Sequence, residues 1–117
     1  EGIIFPAGRL LVADMLADDH PQKTLLMNYI KDYEGAFKEK ASTFGGHAYD
    51  AFIILKAAIE TAGVDKNKIR DAIESISELP GTGGIFTFSA EDHNGLDIDS
   101  FKMITVKDGA FVPYTGM

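Results

Sequence analysis

The sequence holds 117 residues, with 11 Lys+Arg against 18 Asp+Glu, for a formal charge of −7. Apolar residues make up 45% and charged residues 25%, the usage of a folded, water-facing domain rather than of a disordered tail. Cysteine is absent, which removes thiolate nucleophiles, Cys-ligated zinc and disulfides together. The basic residues are scattered among more numerous carboxylates, which excludes the clustered cationic face of a nucleic-acid binder.

The chain opens Glu-Gly-Ile-Ile-Phe-Pro, with neither Met nor a charged leader, and reads as entering in the middle of a fold. Ile3, Ile4 and Phe5 form a short β-prone run that Pro6 and Gly8 are expected to close, leaving Pro6 to Arg9 as a linker. Leu10 to Met15 is apolar but too short for its period to be read, and is left irregular. A first helix starts near Pro21, with Asp18, Asp19 or His20 available as its cap. Leu26, Tyr29, Ile30, Tyr33 and Phe37 recur at steps of three and four, one apolar stripe directed at a core.

Lys40 to Gly46 reads as a linker, and a second helix as His47 to Ala62, stopped by Gly63. That helix is apolar almost all round, which predicts burial on several sides. Its longest near-apolar run, Ala51 to Ile59, is broken by Lys56 and falls far short of the roughly 20 residues of a membrane span. A third helix, capped by Asp65, runs to about Ile76. After Leu79-Pro80 and three glycines the composition turns to β: Ile85 to Phe88, a polar turn at Asn94-Gly95, Phe101 to Val106, Asp108-Gly109, then Phe111-Val112.

Catalytic constellations are missing. The histidines His20, His47 and His93 accompany no Gly-x-Ser-x-Gly elbow and no His-Glu-x-x-His pair, and no phosphate loop is present. Gly81-Thr82-Gly83-Gly84 lacks the last glycine of a dinucleotide fingerprint and precedes a strand. The acidic turn from Asp92 to Asp99 has the oxygens of a calcium loop with the wrong spacing, so it reads as a solvated turn. His47 and Asp50, one turn apart, either pair, ligate or orient the start of a helix. The chain thus reads as non-enzymatic, with no cofactor and no metal. Thr43-Phe44-Gly45-Gly46 combines an apolar ring with exposed backbone N–H groups at a helix start, a binding feature if Phe44 points outward and a core plug if it does not.

Taken in order, several segments resemble the C-terminal third of the type I periplasmic binding proteins, the leucine/isoleucine/valine-binding family of solute receptors for ABC importers. The carriers are Glu1 to Phe5, Ser42 to Ala51, Ala62-Gly63, Ile69 to Ala72, Leu79 to Gly81, Gly83 to Phe88 and Val106 to Val112. The resemblance implies an α/β fold of two lobes, of which this chain holds three helices followed by short strands and a hairpin. Residues 1–9 are then the last strand of the C-terminal lobe with a hinge crossing at Pro6, Ala7 and Gly8. Residues 10–100 belong to the N-terminal lobe, and 101–117 form the return crossing, with Phe101 and Met103, and the C-terminal lobe tail.

By the same resemblance Phe44, with Gly45 beside it, contacts the side chain of a small ligand. That ligand is a branched-chain or aromatic amino acid or an aromatic acid, handed to an ABC permease from the periplasmic or extracellular side. A ligand-sensing domain of a receptor or regulator resembles the same lobes and is the alternative. A chain of this length leaves apolar helix faces, among them Leu26, Ile30, Tyr33, Phe37, Phe52, Ile59 and Ile69, without the rest of a receptor to cover them. A homo-oligomer or strand-swapped dimer is the expected consequence.

Overall fold

Three helices and five short strands organise residues 1–116, which the computed structural model describes. They are β1 (Ile4–Gly8), α1 (Lys23–Phe37), α2 (Thr43–Ala62), α3 (Lys66–Glu74), β2 (Leu79–Pro80), β3 (Ile85–Phe86), β4 (Phe101–Lys107) and β5 (Ala110–Pro113), with 3-10 turns at Arg9–Met15 and Ile98–Ser100. The expected class, helices followed by short strands and a hairpin in an α/β chain, is the one observed. No helix among the described residues is long and apolar enough to cross a membrane.

β1 does not stop at Pro6. It continues to Gly8 and pairs antiparallel with β4, setting Pro6 opposite Met103 and Gly8 opposite Phe101. The strand order β1-β4-β5 makes β1 an edge, where a ladder tolerates the N–H that proline lacks. β4 returns as β5 through Asp108 and Gly109, at φ 53° and 76°, the paired left-handed geometry of a tight hairpin turn. Phe5 and Phe111 meet edge to face across this sheet at 5.9 Å.

Leu10 to Met15 is a 3-10 turn and supplies the centre of the core rather than an irregular link. Leu10, Val12 and Ala13 are buried in it, and Leu10 and Ala13 pack with Leu26 and Tyr29 of α1. The α1 stripe is therefore covered by its own chain at Leu26 and Tyr29, against the expectation that this face meets water, and only its far end, Phe37, is exposed. The start of α1 is held by His20, whose Nδ1 accepts the Gln22 N–H at 3.2 Å, and not by Asp18 or Asp19.

α2 begins four residues earlier than the pattern indicated. Ser42 caps it, its hydroxyl accepting the Gly45 N–H, so Gly45 and Gly46 lie in the first turn and not in a linker. The expected burial of α2 on several sides does not hold: Gly46, Asp50 and Ala58 are buried, whereas Phe52 is 72% exposed and Leu55 and Ile59 are exposed as well. Asp65 caps α3 as expected, accepting from the N–H groups of Asn67 and Lys68. That helix ends at Glu74, short of Ile76, where the Ser75 and Ile76 N–H groups bond three residues back; the Ile76 carbonyl accepts the Phe88 N–H.

The radius of gyration is 15.9 Å, against about 13 Å for a self-contained domain of this length. The excess and the uncovered face of α2 belong together, since a helix that packs on one side only leaves the body extended.

Stability should therefore be concentrated in a different place from the middle of α2. Leu26→Ala, at a fully buried site, should cost about 2 to 5 kcal/mol, and Phe52→Ala or Leu55→Ala under about 1 kcal/mol in this chain. Denaturant midpoints of the three variants check the ranking, and equal losses would contradict it.

Candidate functional site

The first turn of α2 stands beside the strands expected to form the hinge. A Cβ on Gly8 would lie 3.6 Å from the Thr43 methyl. The next residue, Phe44, is 87% exposed, so its ring is not a core plug. Gly45 lies behind it. A Cβ there would stand 2.6 Å from Tyr29 Oη, and its N–H is engaged by Ser42, so Gly45 makes room for the Tyr29 ring and offers no free donor. Tyr29 Oη is buried without a partner among the described residues. Burial raises the phenol above its usual 10, and Tyr33 and the negative Asp50 act in the same direction.

Behind this turn runs a polar network that sequence reasoning reached only at its end. Asp50, 2% exposed, accepts the Thr82 N–H at 2.5 Å and the Gly83 N–H at 2.7 Å. Such paired, charge-assisted bonds are what allow a carboxylate to be buried. Gln22, 1% exposed, donates through Nε2 to the Gly81 carbonyl at 2.9 Å, and its Oε1 accepts from Arg9 at 3.3 Å. Arg9 also donates to the Asp99 carbonyl, just ahead of β4. His47 Nδ1 is 3.9 Å from Asp50 Oδ2, too far for a hydrogen bond, and its ring lies against Gly83, where a Cβ would be 2.7 Å from Cε1. None of the readings left open for His47 and Asp50 describes this arrangement: Ser42 caps the helix start, and the Asp50 carboxylate grips a loop more than thirty residues away.

Between these parts lies a cavity of about 180 Å³, lined among others by Gly8, His47, Asn94, Asp97 and Phe101. It brings two expected hinge residues, Gly8 and Phe101, next to the first turns of α2. Ala7, Pro6 and Met103 follow in the paired strands and do not line it. The acidic turn carries no cation-binding geometry: Asp92 Oδ1 accepts the N–H groups of Asn94 and Gly95, and no cluster of metal-ligating side chains occurs among the described residues. What the sequence missed altogether is Gln22. A buried glutamine at a helix start follows no period and leaves no motif.

Two measurements test this packing. Gly45→Ala forces its methyl onto Tyr29 Oη and should cost about 1 to 3 kcal/mol in thermal unfolding, recovered in part by pairing it with Tyr29→Phe, which removes the clashing oxygen. The second is pH. Burial, with Arg9 adding to it, holds the His20 imidazole below its ordinary 6.5, and Nδ1 must be unprotonated to accept from Gln22. Below 6.5 the unfolded chain therefore binds the proton first, so this contribution is intact above 6.5 and is lost as the pH falls through the folded value. The melting temperature should decline from about pH 7 to about pH 5.5, and His20→Asn should flatten that decline. For Glu74, burial acts upward but hydrogen bonds from Arg70 and His93 prevail and lower the carboxyl, so its contribution falls away only below its ordinary 4.5, outside that window.

Comparison with known proteins gives the arrangement its context. No protein-family model matches the chain, and no curated protein matches it by sequence. Solved structures do match. An extracellular ligand-binding receptor from Rhodopseudomonas palustris HaA2 superposes with a TM-score of 0.86 at 28% identity over 97% of this chain and 34% of its own. Rp1789 from Rhodopseudomonas palustris strain CGA009 gives 0.85 at 27% identity over 97% and 34%. A leucine-binding protein, LivK, from Thermotoga maritima MSB8 gives 0.69 at 25% identity over 98% and 30%. The chain spans about a third of the length of these proteins. Nearly the whole length of the chain superposes on about a third of each of these proteins, which gives it the fold of a segment of a type I periplasmic binding protein.

Proposed function

We propose that this segment belongs to a solute-binding receptor that captures a small amino acid or an aromatic acid outside the cytoplasm, in the periplasm or at the cell surface, and delivers it to an ABC permease. The observation that carries the reading is Phe44: a ring 87% exposed, on the first turn of a helix that abuts Gly8, in a chain that superposes on about a third of an extracellular ligand-binding receptor. Pro6, Ala7, Gly8, Phe101 and Met103 act as the hinge, in two antiparallel strands that tilt as a unit. Residues 1–9 and 101–117 then belong with one lobe and its crossings, and 10–100 with the other. The role is binding and not catalysis.

A ring on one wall is half of a cleft. The 117-residue chain should therefore bind leucine, phenylalanine or benzoate more weakly than about 1 mM by calorimetry. In a receptor-length protein containing this segment, Phe44→Ala should weaken the tightest of these ligands by about 1 to 3 kcal/mol with an unchanged melting temperature. Unchanged affinity, or no binding of any of the three, would remove Phe44 from the site or the ligand class from the proposal. The exposed stripe Phe52, Leu55 and Ile59 supports association of the chain when it is alone. Light scattering should report a homodimer, through this face or by exchange of the terminal strands, burying more than about 2,000 Å². A well-folded monomer at micromolar concentration would contradict it.

A further inference from the structure

We propose that Gln22 and Asp50 are positioning residues that tie the direction of the Phe44 turn to the strand pair at Gly8 and Phe101. The inference rests on the receptor reading for its purpose but on geometry for its content. Five segments distant in sequence meet in one line of hydrogen bonds. Arg9, the residue after β1, binds Gln22 Oε1 and the Asp99 carbonyl, and so touches both the exit of β1 and the entry of β4. Gln22 passes the connection to the carbonyls of Gly81 and Thr82, at 2.9 and 3.4 Å. The same peptide units present the N–H groups of Thr82 and Gly83 to Asp50. Asp50 stands on α2 six residues after Phe44, under two turns along a stiff helix.

Several features mark this as a fixed linkage and not incidental surface bonding. Gln22, Asp50 and Thr82 are all at most 3% exposed, so water offers no replacement partner. The loop between them is shaped to the linkage. A Cβ on Gly81 would stand 2.9 Å from Asp50 Oδ1, and one on Gly46, the second glycine after Phe44, would stand 2.6 Å from Thr82 Oγ1. The loop is thus seated against the first turn of α2 by contact as well as by hydrogen bonds. An error in the angle of that turn is magnified at the Phe44 ring, and binding geometry tolerates only about 10 to 20°. Lobe closure would bring this ring to a ligand reproducibly only if α2 follows the hinge strands without play.

The test uses the 117-residue chain in solution and needs no ligand. Gln22→Met keeps the volume of the buried side chain and deletes both of its polar connections. Residual dipolar couplings of backbone amides should then show α2 rotated by more than about 10° relative to the β1–β4 pair, and amide exchange at Thr82 and Gly83 should quicken at least about tenfold. Gln22→Glu, which keeps the acceptor for Arg9 and loses the donor to the loop, should reproduce the faster exchange. If the exchange quickens while the angle between α2 and the strands stays unchanged, the network is local packing and the proposal fails. If Gln22→Met does not fold, Arg9→Lys, which breaks the fork to Gln22 and Asp99 at a half-buried site, takes its place with the same criterion on the angle. Absence of ligand binding to the receptor-length protein would refute the receptor reading and leave this angular measurement untouched.

Discussion

One buried carboxylate holds the helical part of this chain in shape. Asp50 is removed from water, and a carboxylate in that position is stable only with its lone pairs satisfied. The Thr82 and Gly83 N–H groups satisfy it, and they in turn have no other partner at hand. Removing either side would orphan the other. The requirement fixes the loop's composition: side chains at positions 81 and 83 would collide with Asp50, Phe86 or His47, so the glycines there are imposed by close approach. Gly81-Thr82-Gly83-Gly84, which has the look of an incomplete dinucleotide fingerprint, is a backbone shaped to be gripped by an acid.

From that constraint the rest of the arrangement follows. With the loop fixed on α2, β2 and β3 at either side of it are placed, and Gln22 draws the start of α1 to the same point. α1 then lays Leu26 and Tyr29 over the 3-10 turn, which carries the strand pair on its other end. Phe44 is left outside by geometry: Ser42 sets the helix start, Gly45 and Gly46 face inward where only hydrogen atoms fit, and the ring between the cap and these glycines turns outward.

The elements that were legible in the sequence are those whose signal is local. Asp65 announced its cap, Asp108-Gly109 its turn, and the step of three and four its amphipathic α1. The errors share a cause as well. Pro6 reads as a breaker unless one knows that its strand is an edge, and edge position is set by pairing with a segment nearly one hundred residues away. Ser42 caps α2, but the two glycines behind it argue for a linker, and only the Tyr29 and Thr82 side chains explain their presence in a helix. Leu10 to Met15 is too short to show a period, so its central place in the core was invisible. The candidate Phe44 was found as an aromatic before glycines, whereas the Gln22 and Asp50 linkage joins single polar residues 28 positions apart and has no one-dimensional signature.

The burial of α2 shows most about what such a sequence encodes. Ala48, Phe52, Leu55 and Ile59 continue in one stripe from Phe44, opposite the side that carries Gly46 and Asp50, with the buried Ala58 at its border. A helix apolar all round is written to be packed on both sides, and its own chain covers one of them. Exposure alone does not separate Phe44, at 87%, from Phe52, at 72%. Position does. Phe52 is flanked by helix backbone whose N–H groups are engaged, so a partner that covers it finds no free backbone donor there. Phe44 sits in the first turn, where the helix has free N–H groups and the positive end of its dipole, next to Gly8 and a strand pair. A partner that is apolar at one end and polar or anionic at the other gains from the second environment and nothing from the first. The same stripe therefore changes character along its length, from an apolar face without free backbone donors to an end where an exposed ring stands beside the unpaired N–H groups of a helix start.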